Sequence, residues 1–412
     1  MRVLGSEKGA VQLDEKAALG SGGRGNVVAV SGEEVTDVCG RTYKVACKLL
    51  ADGYRSEGRR AKIDHLAKIG ETATVCAAWP LEKVYDDGAW VGFTMRRLRG
   101  KTLDEVCADA RTKLKMKVDL AARACGIVVD MHALGIVIGD VSMTNFMYNR
   151  SQDLLGMVDL DSVQVIDHEA GVVYPAAESL EKSPEMANAQ LGDTVLTSQS
   201  DDFLAAVMVF RMLFGAHPLD SFETDCSPAE IRERNACQRR FPYRRLSGVL
   251  PVNAFGQQLA DLFKRSFEGP YEQVPTAQDY QRALVEIVRS GFTTCPTCSN
   301  EYAKAAGACP HCACQRQKRN GGSVRTAFVV VLVAAVVLAY ASGFDVLGAV
   351  DAAVSSGVSL IDGAIAGFGG LGEMVAGLLE ILDVIVGGIL GFFGGLIEGI
   401  LGFFGDILSL LM

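Results

Sequence analysis

The chain has 412 residues, 49% of them hydrophobic, and a formal net charge of −9. All 40 Lys and Arg residues lie before Thr326, and the last 87 residues carry eight acids and no base. The first 325 residues thus hold 40 bases against the remaining 41 of the 49 acids, a balance that excludes the broad basic surface of a nucleic-acid binder.

Met1–Glu7 has no apolar core of the signal-peptide kind, so the body of the chain is expected in the cytoplasm. Next, Leu19-Gly20-Ser21-Gly22-Gly23-Arg24-Gly25-Asn26-Val27 fits G-x-G-x-x-G-x-V. Glycines there let a backbone approach phosphates without a Cβ in the way; a surface turn is the plainer alternative. Val27–Val30 and Lys44–Leu50 are β-rich runs, and the second embeds Lys48 in apolar surroundings. Lysine is rarely buried without a partner. Residues 55–69 have helical character, with Ile63, Leu66 and Ile69 on one side, and 89–95 read as a further strand.

From Leu103 onward the pattern turns helical: 103–107, 113–134, a strongly apolar 202–214, 255–267 and 277–290. Between the second and third of these lies Ile138-Gly139-Asp140-Val141-Ser142-Met143-Thr144-Asn145, with Val158-Asp159-Leu160-Asp161 placing its first acid fourteen residues after the amide. Phosphoryl transfer needs these groups. Asp140 would accept the proton of an attacking hydroxyl, and Asn145 and Asp159 would hold the magnesium ions that neutralise nucleotide phosphates. The spacing predicts a catalytic loop, two short strands and a metal-binding turn.

Seven of the twelve cysteines are scattered and read as free thiols of a reducing compartment. The others cluster. Cys295, Cys298, Cys309 and Cys312 form two C-x-x-C knuckles ten residues apart, a closed four-thiolate set suited to structural Zn2+. Redox chemistry is the alternative. A module so short gains most of its folding energy from the metal, and its expected job is interaction or spacing. Cys314 and His311 read as bystanders, either able to substitute as a ligand.

Residues 326–343 form an uncharged run of 18 residues preceded by Arg316, Lys318, Arg319 and Arg325. That is close to the minimum for a transmembrane helix, and the flanking bases place the preceding body on the cytoplasmic side of the inner membrane. Beyond it, Ile-Leu-Gly-Phe-Phe-Gly at 389–394 recurs at 400–405, an 11-residue period that preserves one helical face. Gly387, Gly391, Gly395 and Gly399 run at four-residue spacing. Such a small-residue stripe suits helix association in lipid, so self-association through residues 344–412 is expected, with a plain hydrophobic anchor as the alternative.

A glycine loop, V-A-x-K, D-x4-N and D-x-D in this order follow the protein-kinase signature set. Trp79-Pro80-Leu81-Glu82 with Val91-Gly92-Phe93-Thr94-Met95, His132 to Asp140, and Val158 to Gln164 sharpen the likeness. Residues 10–290 resemble a divergent bacterial, eukaryotic-like Ser/Thr protein kinase of the group associated with von Willebrand A-domain and PP2C-phosphatase proteins in tellurium-resistance-type systems. The likeness covers about two-thirds of the chain. It implies an α+β, two-lobed kinase-like fold with lobes at 1–98 and 99–292, then the zinc ribbon (293–316), a basic linker (317–325), the transmembrane helix (326–343) and the hydrophobic tail (344–412).

The resemblance also implies roles. Gly20, Gly22, Gly25 and Val27 would cover ATP, and Lys48 would grip its α/β-phosphates with Glu57 as helix partner. Met95 would be the gatekeeper, and Arg96 to Leu98, with Arg97 at the centre, the hinge that meets adenine. Asp140 is the implied base; Asn145 and Asp159 are the implied ligands of Mg2+ or Mn2+. Asp161 competes with Asp159 for the metal, which we assign to Asp159 as the first residue of the D-F-G-like triplet. Protein substrates, a PP2C phosphatase and A-domain proteins are the implied partners, in bacterial signalling.

Three departures stand out. Ile138-Gly139 replaces the usual His-Arg, so activation by a phosphate on the activation loop is not expected. Ser142 replaces a lysine, and Asp161 replaces the D-F-G glycine. Ser183-Pro184-Glu185 stands for A-P-E without its usual arginine, and Asp201 matches the aspartate that braces the catalytic loop. A pseudokinase scaffold that binds nucleotide or partners without turnover is the rival reading, and a small-molecule kinase a further one.

Overall fold

The computed structural model describes residues 2–177, 179, 181–188, 195–221, 226–246 and 249–313. The proposed transmembrane helix, the basic linker and the hydrophobic tail lie outside these. Among the described residues no helix is long and apolar enough to cross a membrane. All described residues belong to one compact unit, which ends at Asn320.

Six antiparallel strands come first: β1 (Arg2–Ser6), β2 (Gly9–Gly22), β3 (Gly25–Thr36), β4 (Thr42–Leu50), β5 (Pro80–Asp86) and β6 (Ala89–Arg96). They close into a barrel of order β1-β2-β3-β4-β6-β5. The closing contact is β1 on β5, with Gly5 opposite Tyr85 and Ser6 opposite Val84. Closure removes the two open edges that a sheet would otherwise expose.

Strand alternation sorts the side chains of β4. Val45 and Cys47 point into the barrel with Leu4, Val11, Leu13, Val28 and Val84. Leu50, on the opposite face, packs with Ile63, Trp90 and Phe93, and Lys48 shares that outer face. Ile63 belongs to α1 (Glu57–Thr72), which begins where the Ser56 side chain accepts a hydrogen bond from the Arg59 backbone.

The helical part follows: β7 (Lys101–Thr102), α2 (Leu103–Ala108), α3 (Leu114–Ala133), β8 (Ile136–Val137), β9 (Phe146–Asn149), β10 (Leu154–Met157), β11 (Gln164–Asp167) and β12 (Val172–Tyr174). Then come α4 (Pro184–Asn188), α5 (Ser198–Phe214), α6 (Pro228–Cys237), α7 (Gln257–Glu268) and α8 (Ala277–Ser290). Capping boxes at Thr102/Glu105, Ser227/Glu230 and Thr276/Asp279 start α2, α6 and α8, each satisfying two orphan backbone donors. The apolar α5 is the centre of this part: Phe203, Leu204, Ala205, Ala206, Val209 and Phe210 are wholly inaccessible.

The chain's cysteine hairpin, β13 (Phe292–Thr294) and β14 (Glu301–Ala303), is not a free-standing spacer. Ala303 is fully buried in the core it shares with α5. Glu301 Oε2 accepts the Leu114 backbone N–H at 3.0 Å. Lys113, the cap residue of α3, gives no side-chain cap, so the carboxylate of Glu301 supplies it and complements the positive helix end.

Candidate active site

The turn between β2 and β3 forms one wall. Gly22 pairs with Gly25 across a two-residue tip, Gly23 and Arg24. Gly25 has φ +148, and a Cβ there would lie 2.1 Å from the Leu49 carbonyl oxygen, so only glycine fits. At Gly20, Gly22 and Gly23 a Cβ would meet nothing within 4 Å: the space beside the turn is open. Val27 pairs with Lys48 and shares its face of the sheet. Below lies a cavity of about 890 Å3, which this turn lines together with Lys48, Asp140 and Asp159.

The loop carrying Asp140 is held by a buried carboxylate. Asp201, fully inaccessible on α5, accepts the backbone N–H of Ile138 at 2.6 Å and of Gly139 at 2.8 Å. Its Oδ2 lies 2.9 Å from His132 Nε2. Gly139 has φ +75, and a Cβ would come within 2.7 Å of Ala176 Cβ. Position 139 therefore has a steric reason to be glycine. Asn145 Nδ2 donates to Asp140 Oδ2 at 2.9 Å and to the Asp140 carbonyl at 3.0 Å. Ser179 Oγ donates to Asp140 Oδ1 at 2.9 Å.

Asp159 follows β10 in the left-handed region, φ 63 and ψ 41. Its carbonyl accepts Ser162 Oγ at 2.6 Å, which fixes the turn. Lys48 Nζ lies 2.5 Å from both Asp159 Oδ1 and Asp161 Oδ1. Burial pulls the Lys48 ammonium down in pKa, but the carboxylates of Asp161 and Asp159 outweigh it and the net shift is upward. Burial likewise pushes Asp159 up, and Lys48 reverses it, so Asp159 ends below its ordinary value. Arg24 Nη1, from the glycine turn, lies 3.7 Å from Asp159 Oδ2.

Glu57 does not join this group. Its side chain is 86% exposed at the first turn of α1, where it pairs with Arg60. It sits too early on the helix to face β4. The α1 residue that reaches the cluster is Lys62, with Nζ 3.0 Å from the carbonyls of Asp161 and Pro175. Burial lowers its pKa to about 8, against the pull of Asp161. Lys48 therefore finds its second carboxylate on the Asp159–Ser162 turn rather than on the helix. A signal for Lys62 existed in the sequence: with Leu66 and Ile69 it recurs at helical spacing on the apolar side.

The linker after β6 also departs from expectation. Met95 stands opposite Ala46, on the Lys48 face, yet neither it nor Arg97 lines the 890 Å3 cavity. The Arg97 backbone N–H is taken by the Lys44 carbonyl at 2.8 Å, and so is not free for a ligand ring. Arg97 instead lines a second cavity.

Downstream, Glu185 Oε1 and Oε2 accept the backbone N–H and hydroxyl of Thr197, both at 2.8 Å. Thr197 is the cap of α5, which gives the glutamate a partner in the absence of an arginine. Gln164 staples β11 to the segment before α5, bonding the Leu196 carbonyl at 2.7 Å and its N–H at 2.8 Å. Glu181, at the far end of the 890 Å3 cavity, bonds His217 Nε2 at 2.8 Å.

The four knuckle cysteines converge: all Sγ atoms lie within 4.8 Å of one another. Cys295 and Cys312 are 3.6 Å apart, as are Cys298 and Cys309. Thiolates about 2.3 Å from a tetrahedral centre stand about 3.8 Å apart, so the donor set fits a zinc-sized ion. Backbone N–H groups of Cys298 and Thr297 draw the Cys295 thiol down to about 6, whereas hydrogen bonds with Cys295 and Cys298 push the Cys312 thiol up to about 12; the four share protons as one set.

The chain matches no protein-family model and no curated protein.

Proposed function

We propose that this chain is a membrane-anchored Ser/Thr protein kinase of two-lobed kinase-like fold that transfers the γ-phosphoryl group of ATP to protein hydroxyls. One observation carries the reading: Lys48, Asp140 and Asp159, from three separate elements, line a single cavity beside a glycine turn. Asp140 is the proton acceptor. Asn145 leaves Asp140 Oδ1 to a hydroxyl, and Ser179 Oγ now occupies that place at 2.9 Å. An incoming substrate hydroxyl would replace it. Asn145 and Asp159 would hold Mg2+ or Mn2+, which supplies charge neutralisation at the phosphates. Lys48 would turn from Asp159 to a phosphate while Asp161 keeps its bond to Nζ. The zinc hairpin is structural, and the tail is the membrane anchor and self-association element.

The rival is a scaffold without turnover. It is favoured by the double hold of Asp159 and Asp161 on Lys48, an arrangement that occupies the phosphate-gripping ammonium. Labelled ATP with the full chain in detergent and a generic protein acceptor separates the two. Wild type should transfer phosphate, and Asp140→Asn should lower the rate about a thousandfold at unchanged thermal stability. Equal rates, or none in either, would sink the enzyme reading.

A further inference from the structure

The second cavity, about 540 Å3, lies where three segments meet: the start of β4, the linker 97–99, and the β9–β10 hairpin. Lys44, Arg97 and Arg99 all line it. None of the three has a side-chain hydrogen bond or ion pair among the described residues. Arg41, also in the wall, is already matched by Asp37 at 2.6 Å, and Glu34 is the one lining carboxylate. Behind the lining residue Tyr43, the buried guanidinium of Arg96 sits 5.8 Å from the ring centroid. Its Nε and Nη1 have no partner.

Lys44 stands opposite Glu34 across β3 and β4, whereas Arg97 and Arg99 have no carboxylate opposite them and repel each other. Burial first, and then the charge of Arg99, hold the Arg97 guanidinium below its ordinary pKa. Such a cluster is stable when an anion fills it. Leu98, Met147 and Leu154 share the wall with Thr42, Asn149 and Gln152, whose amides and hydroxyl can add hydrogen bonds to an anion. The volume falls in the range of small-molecule pockets. Paired guanidinium groups match the fork geometry of phosphate oxygens.

We propose that this cavity is a binding site for a small soluble polyphosphate, separate from the glycine-turn cavity. Because its walls come from the barrel, the linker and the helical part, an occupant would tie the three together. The site does not depend on the phosphoryl-transfer reading and stands or falls by binding alone.

Calorimetric titration of the full chain in detergent with tripolyphosphate, without added divalent metal, tests it. Wild type should bind. The double variant Lys44→Gln/Arg99→Gln should bind about tenfold or more weakly, whereas Lys48→Met, which alters only the glycine-turn cavity, should keep wild-type affinity. Citrate, a polyanion of another geometry, should bind more weakly than tripolyphosphate. The proposal fails if wild type does not bind, if the double variant binds as well as wild type, if Lys48→Met abolishes binding, or if citrate equals tripolyphosphate. Thermal unfolding checks the fold of each variant, and the exposed single change Arg99→Gln decides the matter if the double variant is unfolded.

Discussion

The Asp140 loop and the Lys48 cluster face the same cavity but are held by different means. The loop hangs from short bonds between a buried carboxylate, Asp201, and two backbone N–H groups. In the proposed reaction, nothing in that brace would have to move for a proton to pass to Asp140. The cluster is an ion-pair knot in which one lysine serves two aspartates 111 and 113 residues away. A ligand with phosphates would compete directly for its charges. One region is preorganised, and the other is poised for exchange.

Substitutions can break that contrast. Removing the brace with Asp201→Ala leaves two buried N–H groups unpaired and should cost about 3 kcal/mol of stability, read by urea unfolding. A loss below about 0.5 kcal/mol would mean the loop is held elsewhere.

On the other side, Lys62 titrates low. Its folded value is about 8 against about 10.4 in an unfolded chain. Between these pH values the unfolded state holds a proton that the folded state lacks, so stability rises with pH through that window. The gain has an upper bound of about 3 kcal/mol. Below about 8 both states are protonated and the term is flat. Unfolding midpoints from pH 7 to 10 should therefore climb more steeply in wild type than in Lys62→Met; parallel curves would place the titration elsewhere.

A smaller effect sharpens the partner assignment. Asp161→Asn should lower kcat/KM for ATP about tenfold, and Glu57→Ala should change it less than twofold, roughly the scale of a surface substitution. The reverse ranking would return the glutamate to the role the sequence suggested for it.

The patterns that were local in the sequence were legible. The glycine turn, the Lys48 strand, the apolar helices and the D-x4-N loop each rest on residues close in the chain, where periodicity and turn chemistry act; α6, with its Ser227/Glu230 capping box, was missed. The partners that escaped are long-range. Asp161 and Lys62 come together from 99 residues apart: helical spacing puts Lys62 on the apolar side of its helix but does not say what it meets there. Barrel closure by β1 was hidden for the same reason: Arg2–Ser6 is five residues long, and only its distant pairing with β5 gives it meaning. Gln164 was visible as a motif letter, but its work of fastening Leu196 was not.

The contact between Glu301 and the first turn of α3 has a practical side. A chain cut at the end of α8 would look like a tidy domain, yet it would strip a helix of its cap and empty the core position of Ala303. A piece that keeps both contacts therefore runs past Ala303, and a metal held by Cys295, Cys298, Cys309 and Cys312 would brace that same foundation.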